Sequence, residues 1–171
     1  MYYGPRHFKP QEIFTKETVK QFSNDGSWGR DAVIDLAIWR LMDARVTWTM
    51  DSLRDHFGSM ISNDYLWGGK NQFRGYRPIH EILHKSDFCK KNSMKAKVGS
   101  LTSQHCFGRA NDSKFKNASA EEVREDIRKN PRANRYKYIT FIEDDVSWLH
   151  FDVRHWNARQ SGIFFWSPNK S

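Results

Sequence analysis

Two imidazoles and a carboxylate carry the strongest chemical signal in this chain. His105 and Asp112 lie seven residues apart in Ser103-Gln104-His105-Cys106-Phe107-Gly108-Arg109-Ala110-Asn111-Asp112, which reads S-x-H-x-x-G-x-A-x-D. A second imidazole, His150, follows in Trp148-Leu149-His150-Phe151-Asp152-Val153-Arg154. Two His and one Asp form a three-ligand set for one Zn²⁺ ion and leave a fourth coordination position open. The chemistry such a set supports is metal-assisted hydrolysis. Five fixed residue types within ten positions arise by chance in about one window per million, so the first segment is a specific signal. Gly108 permits a tight reversal, and on a strand Ala110 and Asp112 share a face, where the small side chain leaves room beside the carboxylate.

These residues need elements to position them. Asp31 is placed to cap a helix containing Val33, Ile34, Leu36, Ala37, Ile38, Leu41 and Met42. Thr49 is placed to cap a second, with Met50, Leu53 and Phe57 on one face and Gly58 at its end. From Met60 onward, short extended pieces at 60–67 and 72–77 flank Gly68-Gly69. Ser119 with Glu122 is a capping-box signature for a helix that carries Val123 and Ile127 and stops before Pro131. Strands are expected at 136–142, 147–154 and 162–166, with the acidic turn Glu143-Asp144-Asp145 making a hairpin of the first two. Along 147–154 a period of two puts Leu149, Phe151 and Val153 on a core face and Trp148, His150, Asp152 and Arg154 on the other. The pattern predicts an α+β fold, an antiparallel sheet with helices packed on one side. We expect one domain over 1–171, helical over 1–58 and sheet-bearing over 59–171.

The net charge of +8 and isoelectric point near 9.6 call for an anionic partner, either nucleic acid or an anionic cell-wall polymer. Lysines 85, 90, 91, 95 and 97 form one basic stretch; Arg124, Arg128, Lys129, Arg132, Arg135 and Lys137 form another. A solvated face is the default for both, and no nucleic-acid-binding signature accompanies them, which disfavours nucleic acid as the partner. Cys89 and Cys106 show no C-x-x-C spacing and read as small buried thiols. The N-terminus lacks the apolar stretch of a secretory signal, and no apolar run is long enough to predict a membrane span.

The segment around His105 resembles the first zinc motif of the D-alanyl-D-alanine carboxypeptidase and murein-endopeptidase family, whose members share the hedgehog/DD-peptidase fold. Trp148-x-His150-x-Asp152-x-Arg154 resembles its second motif, and Gln72-Phe73-Arg74-Gly75-Tyr76-Arg77-Pro78 resembles its upstream S-G-Y-R segment, with Arg74 where Ser is usual. The resemblance runs from about Met60 to Arg154, with a weaker echo at His7-Phe8-Lys9. It implies a peptidase acting on peptidoglycan stem peptides, with His105, Asp112 and His150 on Zn²⁺. Arg77 would stabilise the oxyanion or hold a substrate carboxylate, Ser103 and Gln104 would buttress the site, and Trp148 would border it. It also suggests a monomeric, phage-type lysis or virion-associated enzyme acting at the cell wall. Many members carry an acidic general base three residues before the last histidine, where this chain has Ser147. Asp145 is the first substitute, and Asp152 the second, better suited to orienting a ligand or Arg154. Loss of catalysis would leave a structural zinc module, and the basic stretches keep a nucleic-acid-binding module as the other alternative.

His80-Glu81-Ile82-Leu83-His84 is a literal H-E-x-x-H and would be a second zinc motif on a helix. Only three positions are fixed, and in a chain with seven His chance supplies the pattern about once in a hundred sequences. No third ligand follows at a familiar spacing, so a structural role is expected here.

Overall fold

The computed structural model describes residues 4–22, 37–79, 81, 102–155 and 162–168. Within them the helices are α1 (Lys16–Phe22), α2 (Ala44–Phe57) and α3 (Ala120–Lys129). The strands are β1 (Met60–Ile61), β2 (Ala110–Phe115), β3 (Phe141–Glu143), β4 (Leu149–Asp152) and β5 (Phe164–Trp166), in the sheet order β1-β2-β4-β3-β5.

The α+β class is as expected, but the sheet is mixed. β1–β2, β2–β4 and β3–β4 are antiparallel, whereas β5 runs parallel to β3. The reason is topological. β4 already has β2 and β3 on its two sides, so the strand that returns after it takes the free side of β3 and runs in the same direction.

α3 forms as its sequence predicts. Ser119 Oγ accepts from the Glu122 amide at 3.2 Å, and Glu122 Oε2 accepts from the Ser119 amide at 2.6 Å. α2 begins earlier than expected. Asp43 caps it by accepting from the Arg45 amide at 3.0 Å, while Thr49 lies inside and donates to Arg45 O at 2.7 Å. The cap expected at Asp31 and residues 33–36 lie outside the described residues; Ile38, Trp39 and Met42 of that run are buried. The expected strand at 136–142 shrinks to β3, because Tyr136 turns under α3 and donates its phenol to Asp126. The extended piece expected at 60–67 keeps only β1 and then coils into a single 3-10 turn at Tyr65–Trp67.

Ile142, Leu149 and Phe151 leave one face of the sheet and pack with Val46, Met50 and Leu53 of α2 and Val123 and Ile127 of α3. Each such side chain contributes about 1.5–3 kcal/mol on full burial. The helices therefore cover this face, and strand alternation sends the intervening residues to the opposite one.

Candidate metal centre

The register of the sheet builds that opposite face into two cross-strand rows. Asp112 on β2 pairs with His150 on β4, His150 with Glu143 on β3, and Glu143 with Trp166 on β5. The neighbouring row is Ala110, Asp152, Phe141 and Phe164. His105 reaches the first row from the 3-10 turn Gln104–Phe107 just before β2.

Gly108 makes that approach possible. Its φ of 64° lies in the left-handed region, and a Cβ there would stand 2.0 Å from Leu41 O. Gly75 is the second close approach, since a Cβ on it would stand 2.2 Å from Ile13 O. Its carbonyl accepts from His105 Nδ1 at 2.7 Å, which places the proton on Nδ1 and turns the Nε2 lone pair toward Asp112 and His150.

His105, Asp112 and His150 each offer one ligand atom, and these atoms lie within 4.8 Å of one another. Donors held at ~2.0–2.1 Å from one tetrahedral ion stand about 3.3 Å apart. His105 Nε2 is 3.3 Å from Asp112 Oδ1 and 3.4 Å from His150 Nδ1, so two of the three separations already suit an ion. The third is contracted by a hydrogen bond from His150 Nδ1 to Asp112 Oδ1 at 2.6 Å. The group is therefore one that could hold a metal ion, and its nitrogen and carboxylate donors match zinc chemistry.

The groups behind the ligands fix their orientation. Arg77 donates from Nη2 to Asp112 Oδ2 at 2.9 Å and from Nε to Phe73 O. The Arg77 amide also donates to His105 O at 3.1 Å, tying this segment to the turn that carries His105. Asp152, fully buried, lies 3.7 Å from His150 Nε2 and receives the Arg154 guanidinium.

The charges follow from this packing. Burial pushes His105 below its ordinary value. Burial opposes ionisation of Asp112, but His105 and His150 outweigh it and hold the carboxyl well below the carboxylate range. Burial also opposes a charge on His150, yet Asp112 and Asp152 push it up to about 9. Burial raises Glu143 above the usual carboxylate value, and Asp112 adds to the effect while His150 and Arg77 oppose it.

A cleft of about 710 Å³ opens over the three residues, in the range of small-ligand sites. Arg77, Glu143 and Arg154 line it beside the aromatic side chains of Phe141, Trp148 and Trp166.

The structure thus brings together His105, Asp112, His150, Arg77, Trp148 and, through Arg154, Asp152. It does not bring Asp145 to the cleft. Asp145 is exposed in the β3–β4 turn at φ 57°, where its carboxylate accepts from Ser167 Oγ at 2.5 Å and does not line the cleft. Ser103 and Gln104 line the cleft, but among the described residues neither side chain is hydrogen-bonded to the three ligands. The buttressing expected of them falls to Gly75, Arg77 and Asp152.

Glu143 is the cleft residue that sequence reasoning missed. The signal that finds it is a period of two extended through β3, which puts Phe141 and Glu143 on the face of His150. In the competing H-E-x-x-H segment, buried Glu81 accepts from Thr15 Oγ1 at 2.5 Å and Thr18 Oγ1 at 3.0 Å, a structural use. His80 and His84 lie outside the described residues, as do Cys89 and the first lysine stretch, while the Cys106 thiol is buried. Among the described residues, no helix is long and apolar enough to cross a membrane. No family model, curated protein or solved structure matches this chain.

Proposed function

We propose that this chain is a zinc peptidase of the D-alanyl-D-alanine carboxypeptidase and murein-endopeptidase type, with the hedgehog/DD-peptidase fold, hydrolysing peptide bonds in peptidoglycan stem peptides. The observation that carries this reading is the buried His105–Asp112–His150 group at the floor of a cleft that also presents a carboxylate and two guanidinium groups. Structural zinc sites are closed by four protein ligands, whereas a three-ligand set opening into a cleft is the catalytic pattern.

Zinc bound there supplies Lewis acidity toward a peptide carbonyl and toward water. Glu143 then has the position of a general base, taking a proton from the attacking water on a carboxylate oxygen. The water oxygen bonds to the carbonyl carbon, the carbon–nitrogen bond breaks, and Glu143 returns the proton to the leaving nitrogen. Arg77 keeps Asp112 in place, and its cation at the cleft wall suits a developing oxyanion. Phe141, Trp148 and Trp166 wall the cleft and limit water around the reacting groups.

The surplus of basic residues concentrates such an enzyme on anionic wall polymers, consistent with a phage-type enzyme working at the cell wall. Three basic residues on and just after α3 are turned to other uses. Arg124 and Arg128 pair with Glu121 and Asp144, and Arg135 pairs with Asp126, which weakens the nucleic-acid reading.

The test is metal analysis of the purified protein together with digestion of defined muropeptides, with and without a chelator, and mass spectrometry of the products. One zinc per chain and chelator-sensitive peptide cleavage are expected. Zinc without any cleavage would reduce the protein to a structural zinc module, and absence of zinc binding would remove the reading altogether.

A further inference from the structure

A guanidinium has two bidentate edges, one formed by Nε with an Nη and one formed by the two Nη groups. In Arg154 the first edge is taken. Nε donates to Asp152 Oδ1 at 3.0 Å and Oδ2 at 2.9 Å, Nη2 donates to Oδ2, and the backbone amide adds a bond to Oδ1 at 3.1 Å. The plane of the group is fixed as well, because its Cζ sits 3.8 Å from the centroid of the Phe141 ring. Asp152 is fully buried, so the anchor itself cannot swing into water. The side chain of Arg154 nevertheless remains 34% exposed and lines the metal cleft. Its Nη1 makes no hydrogen bond among the described residues. A cation is thus held on two sides with its end-on edge left for a ligand.

Arg77 has a different place. Its Nη2 is on Asp112 itself, one carboxylate oxygen away from the candidate ion, which suits charge that develops at the reacting carbonyl. Arg154 stands over the row of Asp152 and Phe141, two residues along the strands from the row of His150 and Glu143. That is a displacement of about 7 Å. A group bound there is close to the reacting bond without being part of it.

We infer that Arg154 is a carboxylate-binding subsite, receiving through its end-on edge a free carboxylate of the substrate within a residue or two of the bond that is cut. This deepens the peptidase reading and rests on it. Stem peptides carry carboxylates on the main chain, on side chains and at the terminus, and some of them occur as amides. Arg154 would make the enzyme distinguish the two forms, since an amide offers only one acceptor and no charge to the fork.

The experiment compares zinc-loaded wild-type protein with Arg154→Lys and Arg154→Gln. The substrates are stem peptides prepared as matched pairs, the free acid and the amide at the carboxylate nearest the cleaved bond. Arg154→Lys keeps the charge beside buried Asp152, which guards against misfolding, and zinc content and circular dichroism verify both variants. Wild-type protein is expected to prefer the acid. Both variants are expected to shrink the preference for acid over amide, read as the ratio of their kcat/KM values, on the order of ten- to hundredfold, the worth of a charge-assisted bidentate contact, with the larger part of the loss in KM for the acid. Calorimetry with the acid product should show the same loss of affinity without turnover. Unchanged discrimination in folded, zinc-bound variants would overturn the subsite while leaving the peptidase standing. Wild-type protein that cleaves neither member of any pair would overturn the peptidase reading and the subsite with it.

Discussion

Glu143 and His150 are direct cross-strand partners in the β3–β4 pair, their backbones one strand spacing, about 4.8 Å, apart at the candidate metal centre. Strand alternation turns both side chains to the same face, and both line the same cleft. The carboxylate that lines the cleft beside His150 therefore comes from the neighbouring strand and not from the turn that joins the two.

Glu143→Gln is expected to keep zinc and to lose kcat by about 10²–10⁴-fold, the usual worth of a positioned base. Asp145→Asn, at the tip of the turn, is expected to leave kcat unaltered. Steady-state kinetics alongside metal analysis separate the two. A Glu143→Gln enzyme turning over at the wild-type rate would move the proton acceptor elsewhere.

The two histidine motifs make opposite demands on zinc. His105→Ala or His150→Ala is expected to abolish stoichiometric binding, because each removes one of only three protein ligands. The double variant His80→Ala, His84→Ala is expected to retain the ion, since Glu81 between them is committed to Thr15 and Thr18. Zinc retained by the first pair and lost by the second would exchange their roles.

Protons should compete with the ion. In chelated protein Asp112 and Asp152 keep His150 protonated up to about pH 9, on the Nδ1 atom that faces the other ligands. Zinc affinity is then expected to rise about tenfold per pH unit from neutrality toward pH 9 and to level off above it. Calorimetry in buffers of different ionisation enthalpy reads the proton released. The stability of chelated protein has the matching sign. His150 titrates above its ordinary value of 6.5, so its contribution is full below that pH and is lost as the pH rises through about 9. A flat zinc affinity across this interval would contradict the pairing.

Arg124 is a positioning residue of the scaffold. Its guanidinium is nearly buried on α3 and donates to Trp148 O at 3.1 Å and Val146 O at 3.0 Å, while pairing with Glu121 at 2.7 Å. It thereby fastens the β3–β4 turn, and with it the start of β4, to the helix. Arg124→Ala is expected to cost about 2–3 kcal/mol, because two carbonyls lose a charged donor. Urea unfolding measures this, and a loss below about 0.5 kcal/mol, the level of an ordinary surface change, would refute the role.

Local chemistry by itself determined several features of this protein. The Ser119–Glu122 capping box sets where its helix starts, because both hydrogen bonds close within four residues. Alternation along β4 sorted Leu149 and Phe151 from His150 and Asp152, since a pleated strand offers only two faces. The spacing of His105, Gly108 and Asp112 marked three of the residues that the turn and β2 arrange. Tertiary structure decided the rest. The parallel placement of β5, the place of Glu143 and not Asp145 in the cleft, and the pairing of Arg77 with Asp112 all depend on which strands become neighbours. That choice is made by burial of Ile142, Leu149 and Phe151 against α2 and α3, an energy summed over contacts distant in the chain, which no short run of residues encodes.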